Sequence, residues 1–175
     1  MYSVDQNDRV EELRDVAQSS VGAPSPAVIA DEHRVFAAYL VEASSMSREG
    51  SGIRVVDPSL ADETVALVSF VRPRAHFFGP PNNEAFSGHP LAARGLHPYA
   101  AFEVHESSWI RRLERMNSVH RLHRAAAFQK LRHFIFAFHD STFECVAEGF
   151  QIEVRGGSLA SAITELSGRI TNAPR

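Results

Sequence analysis

"RHFIFAFHDSTFECVAEGF", residues 132–150, is the stretch whose reading decides the fold. Phe134, Phe136 and Phe138 alternate with other residues, and a second apolar run resumes at Phe143. Between them stand His139, Asp140, Ser141 and Thr142, of which Asp and Ser favour turns because their short side chains bond to nearby backbone. The pattern is that of a β-hairpin. A turn within 139–142 sets Phe138 opposite Phe143, Phe136 opposite Cys145 and Phe134 opposite Ala147. Cross-strand partners share a sheet face, so this face is apolar throughout and belongs in a core. Cys145 therefore reads as a small buried filler rather than a nucleophile. On the other face the same register sets His139 beside Thr142, Ala137 beside Glu144 and His133 beside Glu148. His139 and Glu144 then lie diagonally within reach of each other.

A His–Glu pair of this kind admits three readings. It can fix an imidazole tautomer for acid–base chemistry, supply two ligands to a divalent metal, or form a surface ion pair worth under about 1 kcal/mol. The surrounding histidines bear on the choice. Eight of the nine lie between His76 and His139, but none stands in HExxH spacing. His120 and His123 form an HxxH that shares a helix face only if the helix continues past Val119.

Upstream, residues 76–98 are rich in Pro and Gly, and a loop of this length inside a compact domain is more often functional than decorative. Within it, Pro90 and Gly88 restrain His89, and Asn82, Asn83 and Glu84 follow a rigid Pro-Pro. Ser107 or Ser108 can cap a helix over 109–120 with Trp109, Leu113, Met116 and His120 on one face. Ser158 can cap a last helix with Leu159, Ala162, Ile163, Leu166 and Ile170 inward. Strands are expected at either side of a turn near 31–33, at 53–57, at 64–73 and at 99–105. Val10, Leu13 and Val16 suggest a short N-terminal helix. The expected architecture is α+β: a mainly antiparallel sheet of about seven strands with three or four helices packed on it. Residues 1–26 form an N-terminal helix and linker, and 27–175 a single domain.

The 175 residues carry a formal net charge of −3, which gives no general reason to expect nucleic acid or an anionic membrane as partner. One cysteine excludes an internal disulfide and fits a reducing cytoplasm. No apolar run approaches the ~18 residues of a membrane helix, so a cytoplasmic protein is expected. GxGxxG, GxxxxGK[ST] and GxSxG are all absent.

Long ordered motifs run through the second half: "GPPNNEAFSGHPL", "EVHESSWI", "NSVH" and "HFIFAFHDSTFE". In these the chain resembles a family of small bacterial proteins without an assigned activity, over roughly residues 76–154. The resemblance implies that Asn82, Glu84, His89, Glu103, Trp109, Asn117, His120, His133, His139, Asp140 and Glu144 belong to a family pattern. Asn83 stands where the pattern has Asp, and Arg121 where it has Pro. The functional expectation is a His-rich pocket between the 76–98 loop and the 133–144 hairpin that binds a small ligand or a divalent metal. His139, Glu144 and His89 would carry any catalysis, and Asn82, Glu84, His120 and Asp140 would bind ligand. The alternative is a protein–protein interaction module of immunity or regulatory type without catalysis, or a homodimer formed through the Phe-rich sheet.

Overall fold

The structure, a computed structural model, describes residues 3–42, 59 and 63–171. Its strands are β1 (Arg9–Glu12), β2 (Ala27–Ala30), β3 (Val35–Leu40), β4 (Glu63–Val71), β5 (Ala75–Gly79), β6 (Ala101–His105), β7 (Arg132–Ala137), β8 (Thr142–Ala147) and β9 (Gly149–Gly157). The helices are α1 (Ser108–Asn117), α2 (Ala125–Phe128) and α3 (Leu159–Thr171). The strands form two antiparallel sheets, one in the order β1-β6-β7-β8-β5 and the other β2-β3-β4-β9. The expected α+β class stands, but the single sheet of about seven strands is replaced by two sheets.

The phenylalanine face of the β7–β8 hairpin explains why. Phe134, Phe136, Phe143 and Cys145 pack against Val35, Ala37, Tyr39, Val68 and Phe70 of the second sheet, closing a sandwich core between the two. Phe70 meets Phe136 edge-on at 6.0 Å and Phe143 at 5.4 Å, the tilted geometry that ring quadrupoles favour. A second sheet supplies this wide apolar surface where helices were expected. Helix α3 packs instead on the outer face of the four-stranded sheet, with Leu159, Ala162 and Leu166 buried against Phe36, Ala38, Leu40 and Leu67. Ser158 caps it as expected, accepting from the Ser161 N–H at 3.1 Å.

The outer face of the five-stranded sheet is covered too. Phe86, Leu91 and Leu96 of the 80–100 loop bury Phe102, Val104, Ile135 and Ala137, and Trp109 of α1 packs beside them. With both faces covered, every residue of β8 is buried, which no solvent-facing hairpin would show.

Three further expectations are corrected. Residues 9–12 form edge strand β1, paired with β6 through Val10 and Val104, instead of an N-terminal helix. Val10 packs with the outer cluster, whereas Leu13 and Val16 pack with the sandwich core. Their spacing records a chain crossing between two layers, not one helix face. Helix α1 ends at Asn117, so Met116 (65% exposed) and His120 point to solvent rather than inward. Residues 75–79, placed in the long loop by sequence, are strand β5. The strand expected at 53–57 lies outside the described residues.

Candidate functional site

The hairpin turns one residue earlier than expected. Phe138 N–H donates to the Ser141 carbonyl at 2.9 Å, leaving His139 and Asp140 at the tip. The register is therefore Ala137 with Thr142, Phe136 with Phe143, Ile135 with Glu144 and His133 with Val146. This is a shift of two from the expected pairing, so each residue keeps its face. What changes is the neighbour of Glu144. Its diagonal partner is His133, not His139, and β5 places Phe77 on its other side.

Four buried polar residues form one chain on this face. His133 Nε2 lies 2.9 Å from Glu144 Oε2, and His133 Nδ1 lies 3.0 Å from Ser107 Oγ. His89 Nε2 lies 3.3 Å from Glu144 Oε1. His133 and Glu144 have no solvent exposure, and His89 and Ser107 have 3% each. Such burial is tolerable only because every member is hydrogen-bonded.

Each side chain is positioned by its own local device. Ser107 is the N-cap of α1 and accepts the Ile110 N–H at 3.3 Å. Glu106, at φ +51°, makes the sharp turn from β6 into the helix. The next backbone donor, Ser108 N–H, goes to Asp8 Oδ1 at 2.7 Å, so the N-terminal segment ties down the same helix end. The short 3-10 turn Phe86–Gly88 delivers His89, whose own N–H donates to Phe86 O at 2.9 Å. Phe86 stacks on the His89 ring at 5.9 Å and Trp109 stands edge-on to His133 at 5.1 Å.

The hydrogen bonds fix the tautomer of His89 and leave two arrangements for His133. The Leu91 N–H donates to His89 Nδ1 at 3.1 Å, so that nitrogen is an acceptor and the ring proton is on Nε2, aimed at Glu144. Ser107 Oγ already accepts from Ile110, so its hydroxyl proton is free to go to His133 Nδ1, and His133 Nε2–H then donates to Glu144. One carboxylate thus sits between two neutral imidazole N–H groups. The same heavy-atom positions accommodate one more proton. His133 becomes an imidazolium, its Nδ1–H donates to Ser107 Oγ, and the hydroxyl rotates away.

Glu144 also lines a cleft of about 250 Å³ between α1 and β5. Phe77, Trp109, Leu113 and Met116 form its apolar wall, and Arg112 also contributes to it. On the opposite face of β8, burial pushes the Cys145 thiol pKa up, which keeps it a protonated core group as expected.

The other expected site residues are not brought here. His139 Nδ1 pairs with Asp140 Oδ1 at 2.9 Å at the exposed hairpin tip, and its ring lies 6.1 Å from Tyr99. The long loop does meet the tip, but through backbone. Asn83 N–H donates to His139 O at 2.8 Å while its side-chain amide donates to the Tyr99 hydroxyl. Asn82 accepts the Ala85 N–H in a local turn, and Glu84 is exposed. His120 is exposed and accepts the Leu122 N–H. Of the expected set, only His89 and Glu144 converge. His133, read on the Glu144 face but not placed in the site, and Ser107, read only as a helix cap, join them once the hairpin register is set. Among the described residues no three His, Cys, Asp or Glu side chains are arranged to hold a metal ion. The tautomer of His89 adds a reason, since its Nε2 carries a proton where a metal ligand needs a lone pair.

No family model matches the chain, and no match is found among curated proteins or solved structures.

Proposed function

We propose that the protein binds a small organic ammonium compound with an apolar body in the α1–β5 cleft, with Glu144 as its anchor. The observation that carries this reading is that Glu144, clamped by His89 and His133, borders the cleft beneath its apolar wall, so that a shift of Phe77 or Trp109 brings the carboxylate against a bound group. A group seated against it is screened from bulk water, where a carboxylate interacts far more strongly than at the surface. With both imidazoles neutral, the chain carries one negative charge. A ligand cation can balance it alongside Arg112, which also lines the cleft. The apolar body lies against Phe77 and Trp109, whose ring faces also attract a cation. At about 250 Å³ the cleft is below the ~300–1,000 Å³ of sites for drug-sized ligands, so the ligand is small. The Ser107–His133–Glu144 chain supplies acid–base capability at the same point, exchanging a proton with the bound group.

Trp109 is the only tryptophan of the chain and reports on the cleft directly. Benzylamine and hexylamine at millimolar concentration are expected to change its fluorescence saturably, with benzoate inert. Glu144→Gln should abolish the response. A flat titration with both amines, or equal binding of benzoate, would refute the proposal.

A further inference from the structure

The α1–α2 corner is a surface that nothing else in the fold explains. Segment 111–124 carries five arginines and one carboxylate in a chain whose formal net charge is −3. Arg111 is engaged with Asp5 at 2.5 Å. The other four, Arg112, Arg115, Arg121 and Arg124, are exposed, and none is paired with a carboxylate among the described residues. The same corner holds three of the most exposed large apolar side chains: Met116 at 65%, Val119 at 91% and Leu122 at 69%. Arg112, Arg115 and Met116 stand at i, i+3 and i+4 on α1, and Val119 follows two residues after the helix ends at Asn117. Leu122 follows within the turn that leads to α2.

Solvated arginines alone would need no explanation, and neither would one exposed valine. Three apolar side chains around a helix end, set among four cations without carboxylate partners among the described residues, are a different case. Their combined chemistry matches a surface that is anionic at its boundary and apolar just beneath it. We infer that this corner docks on anionic lipid bilayers, with Met116, Val119 and Leu122 entering the headgroup boundary and the arginines engaging lipid phosphates. Arginine suits that task because its planar fork binds phosphate in bidentate fashion. Single-stranded nucleic acid is the weaker match. Its binders offer aromatic rings for base stacking, and the exposed apolar residues here are all aliphatic. No helix among the described residues is long and apolar enough to cross a membrane, so the contact is peripheral. The inference stands independently of the ligand proposed for the cleft, although Arg112 and Met116 belong to both surfaces.

Co-sedimentation with vesicles tests it on the full-length protein. Binding is expected to mixed phosphatidylcholine–phosphatidylglycerol vesicles and not to pure phosphatidylcholine, and to weaken as salt is raised. Arg115→Gln and Arg121→Gln should each lower the partition coefficient roughly fivefold. Val119→Asp with Leu122→Asp should abolish binding while the thermal midpoint stays unchanged, since both residues are exposed. Glu144→Gln should leave vesicle binding intact even though it removes the amine response, which separates the two proposals. Absence of pelleting with either vesicle would overturn the inference. So would equal pelleting with both, or binding to polyglutamate without binding to vesicles, the last pointing to an acidic protein partner.

Discussion

His133 and Glu144 are diagonal neighbours across the β7–β8 ladder, joined Nε2 to Oε2 at 2.9 Å with neither side chain reaching solvent. The pair is a constraint on stability, because a buried carboxylate that accepts from two imidazoles cannot be replaced without either orphaning one donor or reversing the His133 tautomer against Ser107. Glu144→Gln turns an amide N–H toward one imidazole and replaces a charged acceptor by a neutral one, which weakens the bond to His89 or forces His133 into its Nδ1–H tautomer. The expected loss is about 1–3 kcal/mol in urea unfolding. A change within about 0.5 kcal/mol, the range of neutral surface substitutions, would mean that the chain is not closed as described.

The ring protons are open to direct observation. Nitrogen NMR of the imidazoles should find His89 as the Nε2–H tautomer, held by the Leu91 N–H on Nδ1. Ser107→Ala removes both the cap of α1 and the hydroxyl facing His133. Loss of such a cap costs about 0.5–2 kcal/mol. It should also move the His133 ring signals while leaving those of His89 in place. Coincident shifts in both rings would show that Ser107 acts through general loosening instead of through its bond to His133.

The hairpin tip gives the contrasting case. His139 and Asp140 bond to each other at the surface, and Asn83 holds His139 through its backbone oxygen. His139→Ala and Asp140→Ala should each change stability by no more than about 0.5 kcal/mol. Neither should alter the Trp109 response to amines. A loss of that response in His139→Ala would restore the tip to the site.

These residues also show what was legible before folding. The face to which each hairpin residue belongs follows from period-two alternation, so the burial of Cys145 and the shared face of His133 and Glu144 could be read directly. The register could not, because a turn at 139–140 and one at 140–141 give the same faces, and Asp-Ser favours the later one. The second sheet was hidden for a related reason. β3 and β8 are buried on both faces, and that erases the alternation by which layers are told apart. β1 was misread because four residues are too few to separate a helical from an extended pattern.

That N-terminal strand is expected to matter energetically. The Asp8 carboxylate is buried and accepts the Ser108 N–H at the start of α1, where the helix dipole favours a negative charge. Asp8→Ala should destabilise the protein by about 1.5–3 kcal/mol, the range for hydrogen bonds to charged groups. Asp5 makes an exposed contact with Arg111, so Asp5→Ala should have a much smaller effect that disappears at high salt. Equal losses from the two would show that the segment is held by charge alone rather than by capping.

Alkaline pH should weaken the fold through its sandwich core. Burial raises the pKa of the Cys145 thiol and of the Tyr39 phenol above their ordinary values. In both groups the folded state holds its proton more tightly than the unfolded chain does. Their contribution is therefore complete below the unfolded values, near pH ~8.5 for the thiol and ~10 for the phenol, and declines as pH rises beyond them. Unfolding midpoints in urea should fall between neutral pH and the region above these values. Cys145→Ala should remove the part of the decline that begins near pH ~8.5, after subtraction of its own packing cost at neutral pH. The native thiol should resist alkylation by iodoacetamide until the protein is unfolded, since the core supplies neither a route for the reagent nor a stable thiolate. Rapid alkylation under native conditions would mean that β8 opens to solvent, and the closed Ser107–His133–Glu144 chain on its other face would then be exposed as well.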